Sequence, residues 1–225
     1  MSFRWLKVLY DPERVGEDLA ERPNFWPLAL TVTAITLALI LLLGPKIQAL
    51  QFYQLEKQAP HLSPEQLEQA KGAIASFGKL ASLLNVLSPW IIWLVVALLI
   101  KLYALGARLE APFGVCFALA VYGYMPIWLG SILTYLFMGW LPVEVLENFS
   151  LSLALFVKPE RSFLYYFLTQ CSPFTWWSLW SWGMGAAGAM KTRPIGPVIY
   201  LFLMWFLSSL VLTWMALKAV SMAPV

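Results

Sequence analysis

Charge is what this chain has least of. Asp, Glu, Lys and Arg make up 12% of its 225 residues, about half the share of a soluble domain. Almost none of that charge falls inside five long apolar runs. Hydrophobic residues make up 60% of the chain and its mean hydropathy is +0.72. Lipid is therefore the expected solvent. Histidine is nearly absent as well: His61 stands alone, outside the apolar runs. No Ser, His and carboxylate set can form within a membrane from that inventory, and neither HExxH nor a phosphate-cradling glycine loop occurs. The expectation is a protein that is not an enzyme, with no cofactor and no metal site. Cysteine is limited to Cys116 and Cys171, both in or beside apolar runs, where thiols read as small core residues rather than a disulfide. A net charge of +3 without a basic stripe is too small to suggest nucleic acid, so none is expected as a partner.

Crossing about 30 Å of hydrocarbon takes roughly 20 helical residues. The runs that meet this length are 26–43, 86–105, 113–138, 163–189 and 197–219. They lack the period-two alternation of barrel strands. The fold class expected is an all-α membrane protein with five transmembrane helices in a single domain. Trp26, Trp90, Trp140, Tyr165, Tyr200 and Trp214 fall near span ends, where amphipathic rings prefer to lie. Lys101 reads as an interfacial anchor that snorkels to the headgroups. Arg108 and the Lys191/Arg193 pair occupy short loops on the same side as the N-terminus. That favours a cytoplasmic N-terminus.

Segment 1–25 alternates apolar and basic residues, then offers Asp11 as an N-cap and Pro12 as a first helical position. A helix over 12–21 should follow and end before Pro23. It is expected to be an interfacial amphipathic helix on the cytoplasmic headgroups; packing on its own bundle is the open alternative. Segment 44–85 is expected to form an external helical hairpin with His61 at its tip. Ser63, Pro64 and Gln66 read as a capping box, and Leu67, Ala70, Ile74, Phe77, Ala81 and Leu84 share one face. Leu151 to Val157 is apolar but too short to cross, so it is interfacial or re-entrant.

No Asp, Glu, Arg or His lies at an expected bilayer centre, which argues against a proton pump or ion-coupled carrier. The third run carries Tyr122-Gly123-Tyr124-Met125-Pro126. Proline has no N–H, so the carbonyl of Tyr122 should lose its helical partner. The site is either a hinge or small polar site, or a fixed kink that shapes the bundle. In the fourth run Ser181, Gly185 and Ala189 lie four apart, with Gly183 and Gly188 beside them. Such a small-residue ridge lets helices approach closely.

These residues resemble the Yip family of integral membrane proteins, whose eukaryotic members interact with Rab/Ypt GTPases. Leu9-Tyr10-Asp11-Pro12-Glu13-Arg14 and then Arg22-Pro23 are similar to the opening of prokaryotic members. Tyr122-Gly123-Tyr124-Met125-Pro126 is similar to the family's glycine-tyrosine and proline pattern. Trp180 and Trp182, ahead of a glycine-rich stretch and a basic loop, are similar to its fourth span. The resemblance implies a five-helix bundle in a prokaryotic plasma membrane. It also implies an adaptor or scaffold that works through helix packing and contact with a membrane-protein partner or a second copy. The chain lacks the long acidic N-terminal domain of eukaryotic members, which speaks against GTPase binding. Asp11, Pro12 and Arg14 are the candidates for docking. Tyr122, Gly123, Tyr124, Pro126 and Gly185 are the candidates for bundle shape. Two other functions stay open: a small permease or channel, and an accessory subunit of a larger membrane complex.

Overall fold

The computed structural model describes residues 4–58, 63–147, 149–158 and 162–222; the side chains of 58, 79–83 and 219–222 are not described. Among the described residues the chain is helical throughout, with no strand. The helices are α1 (Arg4–Lys7), α2 (Pro12–Glu21), α3 (Trp26–Gln58), α4 (Pro64–Gly106), α5 (Phe113–Gly123), α6 (Met125–Trp140), α7 (Val143–Leu146), α8 (Phe163–Gln170), α9 (Pro173–Met190) and α10 (Ile195–Met222). A 3₁₀ turn covers Leu153–Phe156.

Four stretches are long and apolar enough to cross a membrane: Trp26–Lys57, Leu84–Gly106, Phe113–Trp140 and Ile195–Lys218. The third joins α5 to α6 through Tyr124. Its most apolar stretch is 72% buried, against 22%, 33% and 17% for the other three. It is therefore the central helix, and the others turn most of their apolar surface outward. On α10 the outward stripe runs Ile199, Leu203, Phe206 and Leu207, then Val211 and Trp214. Lipid is the solvent that leaves such a stripe at no cost.

The expected fourth run behaves differently. It is two helices, because Pro173 cannot continue α8 and pushes Ser172 into extended backbone. The short segment expected to be interfacial or re-entrant repairs that break. Leu153 N–H donates to the Cys171 carbonyl at 2.9 Å, and Ser172 Oγ donates to the Leu151 carbonyl at 3.1 Å.

Helices α3 and α4 both extend past their apolar stretches. Ser63 opens α4 with a complete capping box: its Oγ accepts from Gln66 N–H at 3.3 Å, and its own N–H donates to Gln66 Oε1 at 3.0 Å. The two extensions lie side by side, with Lys71 Nζ 2.7 Å from Glu56 Oε1. Lys46 Nζ donates to the Gly139 carbonyl at 3.2 Å, and Lys57 pairs with Glu147 at 2.6 Å. These bonds tie α3 to the end of α6 and to α7. Of the face read along α4, Leu67, Ala70 and Ile74 are half-buried, whereas Phe77 is 70% exposed. His61 and the side chain of Ala81 lie outside the described residues.

Candidate functional site

Helix α9 organises the molecule. Its sequence is poor in the usual span residues but alternates hydroxyls, indoles and glycines, and each type makes a different contact. Ser178, Ser181, Trp182, Gly185 and Gly188 are all buried.

The first partner of α9 is the N-terminal helix. Pro12, Val15, Gly16 and Leu19 form one buried stripe of α2, at 12, 15/16 and 19. That stripe lies on α9 and α5, so the apolar face expected on the headgroups is covered by protein. The contact is backbone to backbone. A Cβ on Gly16 would collide with the Gly185 carbonyl, and one on Gly188 would collide with the carbonyl of Glu13. A Cβ on Gly185 meets only Leu119 Cδ2 at 3.1 Å and the Pro12 oxygen at 3.4 Å. Glycine in a helix interior costs about 1 kcal/mol relative to alanine, so close approach is what these two positions gain. Trp177 Nε1 adds a hydrogen bond of 3.0 Å to the Leu9 carbonyl, just ahead of α2.

Asp11 stands at the N-cap of α2, but its side chain makes no capping bond; it lies 3.8 Å from Lys7 Nζ instead. Pro12 is buried in the first turn, and Arg14 points away from α9 with Glu17 and Glu21. Arg4 reaches back to Asp18 at 3.8 Å and joins α1 to α2.

The second partner of α9 is the break at Tyr124. Pro126 offers no N–H, so the Tyr122 carbonyl lacks its helical donor, as the sequence suggests. Tyr124 N–H turns to it, and the Ala120 carbonyl loses its partner in turn. Trp182 Nε1 donates to it at 2.9 Å. Ile127 N–H, past the break, donates to Ser178 Oγ at 3.2 Å. Gly123 makes room for the indole, since a Cβ there would collide with Trp182 Cδ1. Tyr122 and Tyr124 are buried; the Tyr122 hydroxyl donates to the Asn24 carbonyl at 3.3 Å, and Tyr124 meets Trp93 edge to face at 5.8 Å. Pro126 is buried at the start of α6. Two hydrogen bonds from α9 thus brace the kink.

Of the eight candidates, Pro12 and Gly185 meet in one cluster on α9 and Gly123 lies in a second at the kink, while Arg14 faces away from the helix. Gly16, Gly188, Ser178 and Trp182 complete the two clusters. Gly188 was visible beside the small-residue ridge, whereas Gly16 and the bonding roles of Ser178 and Trp182 had no pattern of their own.

Helices α4 and α9 both end in a left-handed residue, Arg108 (φ 56°) and Lys191 (φ 51°). In each case the next N–H bonds five residues back, Leu109 to Ala104 at 2.8 Å and Thr192 to Ala187 at 3.0 Å. Lys101 donates to the Ala111 carbonyl at 2.8 Å, so this expected headgroup anchor fastens a loop. A hollow of about 220 Å³ between α6 and α9 is lined by hydroxyls, among them Ser131, Thr134, Ser152, Thr169 and Ser172. Among the described residues no charged side chain is buried, and no three His, Cys, Asp or Glu residues converge on a possible metal position.

The fold and site define a multi-pass integral membrane protein built around a braced central helix. A family model described as the Yip1 domain matches residues 6–216. The chain belongs to the Yip1 domain family. No curated protein and no solved structure matches it.

Proposed function

We propose that this protein is a membrane adaptor, not an enzyme, and that α2 is the element its partner reads. The observation that carries this is the glycine-on-glycine docking of α2. It immobilises a ten-residue helix on the bundle with its charged face, Arg14, Glu17 and Glu21, turned outward. A helix ordered in advance spares a partner the entropy of folding it. In this reading α8 and α9 together complete a fifth span, and α3 and α4 form an external hairpin. The N-terminus lies in the cytoplasm of a prokaryotic cell. Support for that side comes from the shared end of the bundle: Glu13 touches Gly188, one turn from Lys191 and Arg193.

Native mass spectrometry of protein extracted gently from its own membrane tests the proposal. The wild type should carry a heavier polypeptide, and Arg14→Glu with Glu17→Arg should lose it while keeping the fold. A protein that carries no polypeptide partner, or whose partner survives the charge reversal, would overturn it.

The permease reading has one observation in its favour, the hydroxyl-lined hollow. Against it, two of the polar groups at the kink are already partnered by Ser178 and Trp182. Purified protein in liposomes that passes no ion or small solute would remove it.

A further inference from the structure

A second feature stands apart from the docked helix and does not rest on the adaptor reading. A groove of about 650 Å³ opens between α1, α3 and the α5–α6 helix, within the range of roughly 300–1,000 Å³ typical of small-molecule sites. Its composition is graded. Arg4 and Asn24 lie at one end, beside the start of α3, and Leu28, Ile35, Met125 and Trp128 line the rest. From Pro27 to Ile35 the groove follows nine residues of α3, about 12 Å for eight steps of 1.5 Å. One end is therefore cationic and polar, and the apolar part runs along a membrane-spanning helix.

Two hydrogen-bond donors in the lining lack acceptors. Trp128 is 8% exposed, and its buried Nε1–H has no partner among the described residues. Arg4 Nε is buried without a hydrogen bond, since its contact with Asp18 is 3.8 Å long. Its Nη1 reaches the Arg22 carbonyl only at 3.4 Å. A buried donor without an acceptor is costly; Arg4, though its charge is paired with Asp18, keeps such a donor at Nε. The missing component is an acceptor-rich, negatively charged group carrying an apolar tail. We propose that this groove holds one anionic phospholipid of the surrounding bilayer, its phosphate at Arg4 and an acyl chain along Pro27, Thr31 and Ile35.

The test is competition read by native mass spectrometry. Delipidated protein in mild detergent is offered equal amounts of phosphatidylglycerol and phosphatidylcholine with identical chains, and, separately, inorganic phosphate. The wild type should retain the anionic lipid at least fivefold over the zwitterionic one, and phosphate alone should not be retained. Arg4→Gln should abolish the preference. Asp18→Asn, which breaks the same ion pair but keeps the cation, should preserve it. Thr31→Phe, which fills the groove from an exposed position on α3, should reduce retention of both lipids at the site with an unchanged circular dichroism spectrum. Equal retention of both lipids by the wild type would overturn the proposal. So would a preference that survives Arg4→Gln, or phosphate retained as well as the lipid.

Discussion

Replacing Gly188 with alanine probes the docking of α2 most sharply. The new Cβ would lie 2.8 Å from the Glu13 carbonyl carbon and closer still to its oxygen, whereas carbon atoms rest at about 3.5–4.0 Å. Both sides are backbone, so no side chain can swing away, and α2 must lift by about an ångström. Overpacking of this kind costs about 1–3 kcal/mol. Alanine returns about 1 kcal/mol of helix propensity to α9, but that gain stabilises α9 whether or not α2 is docked. The docking equilibrium therefore bears the full penalty. At 1.4 kcal/mol per factor of ten, amide exchange in α2 should rise roughly 5- to 150-fold. Hydrogen exchange read by mass spectrometry in lipid nanodiscs measures it peptide by peptide. Residues 12–21 should lose protection while α10 and the buried half of α5 do not change. Gly72→Ala is the control, because nothing lies within 4 Å of its Cβ, and it should leave α2 untouched. Unchanged protection of α2 in Gly188→Ala would refute the reasoning that backbone contact holds this helix.

Three further outcomes follow from the same contacts. Trp182→Phe puts a smaller ring in place of the indole and leaves the buried Ala120 carbonyl without a donor, so it should cost at least about 1–3 kcal/mol; a thermal shift assay in detergent should show a lower midpoint, and no change would mean the indole hydrogen bond is not needed. Lys191→Gly relieves a left-handed residue that costs about 1–2 kcal/mol with a side chain, so the same assay should show a higher midpoint. The hydrogen bond from Lys71 to Glu56 raises the Lys71 pKa above its ordinary 10.5, outweighing the opposing effect of desolvation. The folded value lies above the unfolded one, so this contact is fully present below about pH 10.5 and is lost as pH rises through the raised value. A spin-label pair on residues 54 and 73 should hold one distance from neutral pH to that point and broaden beyond it.

Much of the architecture was legible because apolar runs of span length have few alternatives. Trp26–Lys57, Leu84–Gly106, Phe113–Trp140 and Ile195–Lys218 contain the first, second, third and last expected runs or most of them. The start of α4 was legible for a local reason, since Ser63, Pro64 and Gln66 satisfy each other within one turn. Pro126 marked the break in the central helix. What a single proline could not reveal was how its effect propagates: Tyr124 N–H turns to the Tyr122 carbonyl, which frees the Ala120 carbonyl for the Trp182 indole. The break at Cys171 was signalled by Pro173 but masked by the high hydrophobicity on either side. The docking of α2 was the least visible. Its stripe is small, its composition is polar, and it is held by glycine backbones, which carry no hydrophobic signal. Gly185 stood out as the centre of a regular four-residue spacing, yet the tighter contacts belong to Gly16 and Gly188, whose partners lie on another helix.

The central claim is that α9 presents α2 as a fixed surface for a protein partner. A photo-crosslinking residue at Glu17, on the outward face of α2, tests it in native membranes, with Leu203 on the lipid-facing stripe of α10 as reference. The account predicts a discrete heavier protein adduct from position 17, absent from position 203 and lost when Gly188→Ala loosens the helix. Lipid adducts alone from position 17, or the same protein adduct with α2 undocked, would contradict it.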